Sequence, residues 1–143
     1  MTLFESYSQK STEELGRMMG LTALPGDVFA LIGDLAAGKT AFARGFARGL
    51  GVDDDIDIVS PTFGIVNEYN QGRLPLYHFD VYRIQHIQEM EDTGYQEYFF
   101  GQGVTLIEWA DMIEEILPKG TVYVNIARSR VHGEEYRRIE VTT

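Results

Sequence analysis

The chain has 143 residues with 44% hydrophobic content, enough apolar material for one compact core and too little length for two ordinary domains, so a single domain over 1–143 is expected. No apolar run approaches the roughly 20 residues that span a bilayer, and Met1 to Lys10, with acidic Glu5 and no continuous apolar block, is not built like a secretory signal, so a cytoplasmic protein without membrane association is expected. Twenty-two acids against twelve bases give a net charge of −10 with no cysteine, which disfavours a broad grip on a nucleic-acid backbone, removes disulfide and thiolate chemistry, and leaves any RNA to be held by a partner.

Ser11-Thr12-Glu13-Glu14 has the spacing of a capping box and is followed by Leu15, Met18 and Met19 at helical intervals, so a helix from about Thr12 to Ala23 is expected. Pro25-Gly26-Asp27 ends it. Val28-Phe29-Ala30-Leu31-Ile32 then runs apolar without alternation, as a central parallel strand covered on both faces does. Beyond a Gly-rich turn, Phe42, Phe46 and Leu50 recur every fourth residue up to a C-capping Gly51, which predicts a helix beginning near Lys39. Strands are expected at Asp57 to Val59, Phe63 to Tyr69, Leu74 to Phe79 and Val104 to Ile107, the middle two forming a hairpin about Asn70-Gln71-Gly72. Gln85 to Phe100 fits two short helices hinged at Gly94, and Ala110 to Ile116 fits another ended by Pro118. Val122 to Ala127 and Tyr136 to Val141 close the chain as a second antiparallel pair. The expected fold class is α/β, a three-layer sandwich with a mixed central sheet.

Gly33-Asp34-Leu35-Ala36-Ala37-Gly38-Lys39-Thr40 satisfies G-x-x-x-x-G-K-S/T directly after the buried strand and directly before the helix, the context that a phosphate-binding loop requires. Backbone amides from Gly33 to Ala41 and the positive end of the helix surround the phosphates, Lys39 neutralises the β and γ oxygens, and the Thr40 hydroxyl binds magnesium. The chain has three lysines, and one of them falls at this position. Nucleotide binding and a P-loop NTPase fold follow.

A P-loop needs acids at the ends of neighbouring strands to hold magnesium and orient the attacking water. Leu76-Tyr77-His78-Phe79-Asp80 and Val104-Thr105-Leu106-Ile107-Glu108 each end a strand in a carboxylate, the second in the manner of a Walker B strand. Each alone also fits an ordinary solvated strand end. Ser60-Pro61-Thr62 fits either a turn or a loop whose hydroxyls sense the γ-phosphate. Trp109, the one tryptophan, reads by itself as a buried anchor. Arg128, Arg130, Arg137 and Arg138 cluster near the C-terminal end, as a solvated hairpin face or as a source of one phosphate contact.

With Gly33 to Thr40, then Ser60-Pro61-Thr62-Phe63, then His78-Phe79-Asp80-Val81-Tyr82-Arg83, then Ile107-Glu108-Trp109, in that order, the chain resembles the TsaE (YjeE) family. The resemblance implies an ATP hydrolase with ATP and Mg2+ as its ligands. It further implies that such a hydrolase supports threonylcarbamoyladenosine modification of tRNA beside the anticodon by acting on the TsaB–TsaD complex between rounds, with tRNA reached only through that complex. By position it implies that Lys39 and Thr40 bind phosphate and magnesium, that Glu108 is the magnesium-side acid, and that Asp80 is the second essential acid, with the acid that polarises water left open. Thr62 resembles the family's switch threonine, and the resemblance further implies Trp109 as a wall of the site and Thr12 near the adenine. One departure stands out, since Ala36 replaces the glycine usual in the family. Where positive φ is needed there, alanine costs roughly 1 to 2 kcal/mol.

Two other readings stay open at this level. A small-molecule kinase shares the P-loop and uses arginines such as Arg128 and Arg130 on a lid, although no lid insertion interrupts the chain. A non-catalytic module would use nucleotide only to order its loops.

Overall fold

The structure, a computed structural model, describes residues 1–34, 37–61 and 65–143. In chain order the elements are β1 (Thr2–Ser6), α1 (Gln9–Thr22), β2 (Val28–Ile32), α2 (Lys39–Leu50), β3 (Val66–Tyr69), β4 (Leu76–Asp80), α3 (Gln88–Glu91), α4 (Tyr95–Phe99), β5 (Val104–Glu108), a 3-10 segment (Ala110–Ile116), β6 (Val122–Arg128) and β7 (Arg137–Thr142). The strands form a seven-stranded sheet in the order β1-β7-β6-β2-β5-β4-β3. The inner strands β6, β2, β5 and β4 run parallel, and β3, β7 and β1 add antiparallel edges. The fold is the α/β class expected, with a mixed sheet.

Strand β2 shows why an unbroken apolar run was needed. Successive side chains of a strand point to opposite faces. Phe29 and Leu31 enter the core beneath α1 and α2 together with Phe42, Phe46 and Leu106. Val28 and Ala30 enter the other core, with Phe79, Met90, Phe99 and Ile113. Both faces are covered, so the layers are helices, sheet, helices. No described helix is long and apolar enough to cross a membrane.

Helices α1 and α2 pack backbone against backbone. A Cβ built on Gly16 or Gly20 of α1 would overlap the carbonyl oxygen of Phe42 or Phe46, and one on Gly45 or Gly49 of α2 would overlap that of Glu13 or Arg17. Four glycines thus form a seam that lets the axes approach closely, and this brings the Thr12 methyl to 3.9 Å from the Cβ position of Gly38.

Several boundaries differ from the sequence expectation. Helix α1 begins at Gln9, not Thr12, because extended Ser8 is the N-cap and its hydroxyl accepts from Ser11 N–H at 3.0 Å. The helix ends at Thr22, and Arg73 donates to the carbonyls of Gly20, Leu21 and Ala23, which lie at or just past its end. Residues Asp57 to Val59 form no strand. Val59 is 55% exposed, and its backbone is satisfied by side chains, with Asn67 donating to its carbonyl at 3.1 Å and its N–H donating to the Tyr69 hydroxyl at 3.4 Å. The hairpin β3–β4 forms as expected, while Phe63 and Gly64, placed in its first strand, lie outside the described residues. Gly94, at φ 71°, hinges α3 and α4. The segment after β5 winds as a 3-10 helix with a break at Ile113, and Leu117 before Pro118 is extended. Strand β1 was not anticipated; its residues are mostly exposed, and its partner lies more than a hundred positions away on β7.

Candidate functional site

Strand β2 delivers the chain to Gly33, which packs so tightly on β6 that an added Cβ would sit 2.5 Å from the Ile126 carbonyl oxygen. At the far end of the loop Gly38 adopts φ 108°, a left-handed conformation that suits glycine, and opens α2. Lys39 is the first residue of that helix and is 5% exposed. Its Nζ donates to the carbonyls of Gly33 at 2.6 Å and Asp34 at 2.7 Å and lies 4.1 Å from the centre of the Trp109 ring. Burial lowers the Lys39 pKa, and the neighbouring carboxylates, Glu108 first, oppose that shift.

A cavity of about 440 Å³ opens beside this loop. Thr40 and Ala41, from the first turn of α2, line it, as do Thr12, Asp80, Glu108 and Trp109. Asp80 and Glu108 are register partners at the ends of adjacent parallel strands β4 and β5, which is why they reach the same place. Asp80 accepts from Tyr82 N–H at 3.0 Å, and burial raises its pKa. Glu108 is 2% exposed, and its Oε2 accepts from His78 Nε2 at 2.6 Å and from the Ser60 hydroxyl at 3.2 Å. Trp109 is a non-glycine residue with positive φ, at 61°, a turn that swings its ring over Lys39 and against Tyr82, whose ring centre is 4.6 Å away.

Thr12 is buried, with its hydroxyl 2.7 Å from the Ser6 hydroxyl, and so presents its methyl toward Gly38. Ala37 is buried too, and its carbonyl accepts from Arg137 Nε at 2.7 Å. Of the four C-terminal arginines named from the sequence, Arg137 alone lines the cavity beside Lys39. Arg128 and Arg130 border a hollow on the other side of Gly33 and Asp34, and Arg138 pairs with Glu140 at 3.0 Å. Leu35, Ala36 and Thr62 lie outside the described residues.

The structure thus gathers Lys39, Thr40, Asp80, Glu108, Trp109 and Thr12 around one cavity. It adds His78, to which the sequence reading gave no role, and makes Ser60, whose hydroxyl was read as that of a turn or a γ-phosphate sensor, a partner of Glu108. A signal for His78 existed: in a strand, positions 76, 78 and 80 share a face, so a histidine two residues before a candidate acid sits beside that acid. The oxygens of Thr40 and Glu108, with Asp80 nearby, are hard donors with room for water and phosphate, and they fit magnesium. Among the described residues no group of three or more His, Asp or Glu side chains could hold a metal ion. A cation here would therefore share phosphate ligands.

The family model of the threonylcarbamoyl adenosine biosynthesis protein TsaE matches residues 6–139. The tRNA threonylcarbamoyladenosine biosynthesis protein TsaE of Bacillus subtilis is 47% identical over 139 residues, covering 97% of this chain and 84% of the relative. That of Treponema pallidum is 41% identical over 136 residues, covering 95% and 96%. The crystal structure of Bacillus subtilis YdiB superposes with a TM-score of 0.78 at 43% identity, covering 96% of this chain and 82% of that one.

Proposed function

The chain belongs to the TsaE family, and on that premise we propose that it is a magnesium-dependent ATP hydrolase, one P-loop domain, whose turnover serves threonylcarbamoyladenosine modification of tRNA. The observation that carries the hydrolase reading is the position of Lys39 Nζ, held by two loop carbonyls under Trp109 at the edge of a cavity that Asp80 and Glu108 also line. An ammonium held by neutral carbonyls can exchange them for β and γ phosphate oxygens, which are stronger acceptors.

Backbone amides of the loop and of the first turn of α2 hold the phosphates in line, and Trp109 covers the ammonium from solvent. Thr40 and Glu108 would hold a magnesium ion, which would offset charge on the phosphate oxygens. Asp80 or Glu108 places the attacking water, and Lys39 balances the charge that develops as the γ-phosphoryl group transfers. The protein acts on the TsaB–TsaD complex between rounds of modification, and it meets tRNA only through that complex. A net charge of −10 favours docking on a protein over direct contact with RNA.

Single-turnover phosphate release from ATP, with magnesium and with or without TsaB and TsaD, tests the proposal. Lys39→Ala and Glu108→Ala are each expected to lower the rate by roughly 100-fold or more. A wild-type protein that binds ATP without releasing phosphate in either setting would defeat the hydrolase reading. Full activity in either variant would defeat the assignment of that residue.

A further inference from the structure

His78 is wholly buried, and its Nε2 lies 2.6 Å from Glu108 Oε2, while its Nδ1 has no hydrogen-bond partner among the described residues. A leucine or phenylalanine would fill this strand position without bringing a polar nitrogen into the core, so packing alone does not account for an imidazole here. The pattern of partners fixes the tautomer. With the proton on Nε2 the ring donates to the carboxylate and leaves a bare lone pair at Nδ1, which burial penalises less than an N–H without an acceptor. Ser60 donates to the same carboxylate oxygen at 3.2 Å. Oε2 is thereby engaged twice, and Glu108 Oε1 takes no hydrogen bond from the described residues.

The geometry points to His78 as a positioning residue that clamps one oxygen of Glu108 through Nε2 and leaves the other oxygen to serve the magnesium ion of the bound nucleotide. This rests on the hydrolase reading above and adds to it a residue that touches neither nucleotide nor metal. A glutamate has three side-chain torsions. With one oxygen anchored to a ring fixed in the core, the carboxylate plane is set before nucleotide arrives, as ligand-orienting partners do in metal sites. The ring acts by direction and rigidity.

Replacements of different reach provide the test. The amide nitrogen of Gln can occupy the place of Nε2, whereas the amide of Asn ends near the place of Nδ1, and Leu has neither. Two quantities are measured for each variant: single-turnover phosphate release, and the affinity for adenylyl imidodiphosphate by calorimetry with magnesium and with EDTA. His78→Asn and His78→Leu are expected to lose roughly 10- to 100-fold in release and in the magnesium-dependent part of the affinity. The affinity in EDTA is expected to stay at the wild-type value, and His78→Gln to remain within a few-fold of wild type in every measurement.

Equal behaviour of the Gln and Asn variants would overturn the proposal, as would full magnesium dependence in His78→Leu or a matching loss of affinity in EDTA. Should His78→Leu fail to fold, the contrast between Gln and Asn decides alone. A wild-type protein that shows magnesium-dependent binding but no phosphate release would remove the hydrolase reading and leave the binding comparison to judge His78.

Discussion

Replacing Gly45 by alanine sets two physical effects against each other. Alanine is favoured over glycine in a helix interior by about 1 kcal/mol, so propensity alone predicts a more stable protein. The seam predicts the reverse. A Cβ on Gly45 would overlap the Glu13 carbonyl oxygen and lie 2.6 Å from its carbon and 2.9 Å from the Glu13 Cα, all of them backbone atoms that cannot rotate away. Relief requires α1 and α2 to separate by roughly an ångström, loosening the contacts of Leu15 and Met19 with the core that Phe42 and Phe46 fill. Overpacking of this kind costs about 1–3 kcal/mol, and backbone atoms place the cost at the upper end. The net expectation is a loss of about 2 kcal/mol, or about 6 °C in Tm for a chain of this size. Urea and thermal unfolding followed by far-UV circular dichroism measure both numbers. A Gly45→Ala protein as stable as wild type, or more so, would refute the reasoning and show that the seam has slack.

Arg137→Ala removes the donor held by the Ala37 carbonyl at 2.7 Å. Nucleotide affinity by calorimetry is expected to fall roughly tenfold, in line with the loss of a charge-assisted hydrogen bond, and unchanged affinity would show that the loop holds its shape unaided. The Tyr98 hydroxyl donates to Glu68 at 2.7 Å, and that bond, with partial burial, pushes its pKa up to about 12. A phenol raised above its unfolded value of 10.0 stabilises the fold below pH 10, and that contribution is lost as the pH rises from 10 to about 12. Equilibrium unfolding across this window should show a steeper decline for wild type than for Tyr98→Phe, and parallel curves would contradict the assignment.

The unit from β2 through the loop to α2 was legible in the sequence because each of its signals is local. An unbroken apolar strand, a glycine at each end of the loop and a four-residue repeat ending at Gly51 all fall within a few residues of one another. Asp80 and Glu108 were legible as strand ends, but only the parallel register of β4 and β5 sets them side by side. What escaped was tertiary. Strand β1 exists because β7 offers it a free edge, not because Thr2 to Ser6 carry a strong pattern. Asp57 to Val59 looked like a strand by composition and became a loop because Tyr69 and Asn67 answer its backbone. The small residues of α1 and α2 look like poor helix formers until the two helices are seen in contact. The place of His78 on the face of Asp80 was legible within its strand, but its bond to Glu108 was not, since that partner is thirty positions away.

The placing of β7 between β1 and β6 has a consequence for biogenesis. During synthesis β1 emerges well before its hydrogen-bonding neighbour, Arg137 to Thr142, and the arginine that reaches the Ala37 carbonyl arrives in that same later segment. A nascent chain that has made everything up to β6 therefore carries the whole phosphate motif without its final buttress. Full affinity for nucleotide is thus expected only once β7 has formed and tied β1 into the sheet.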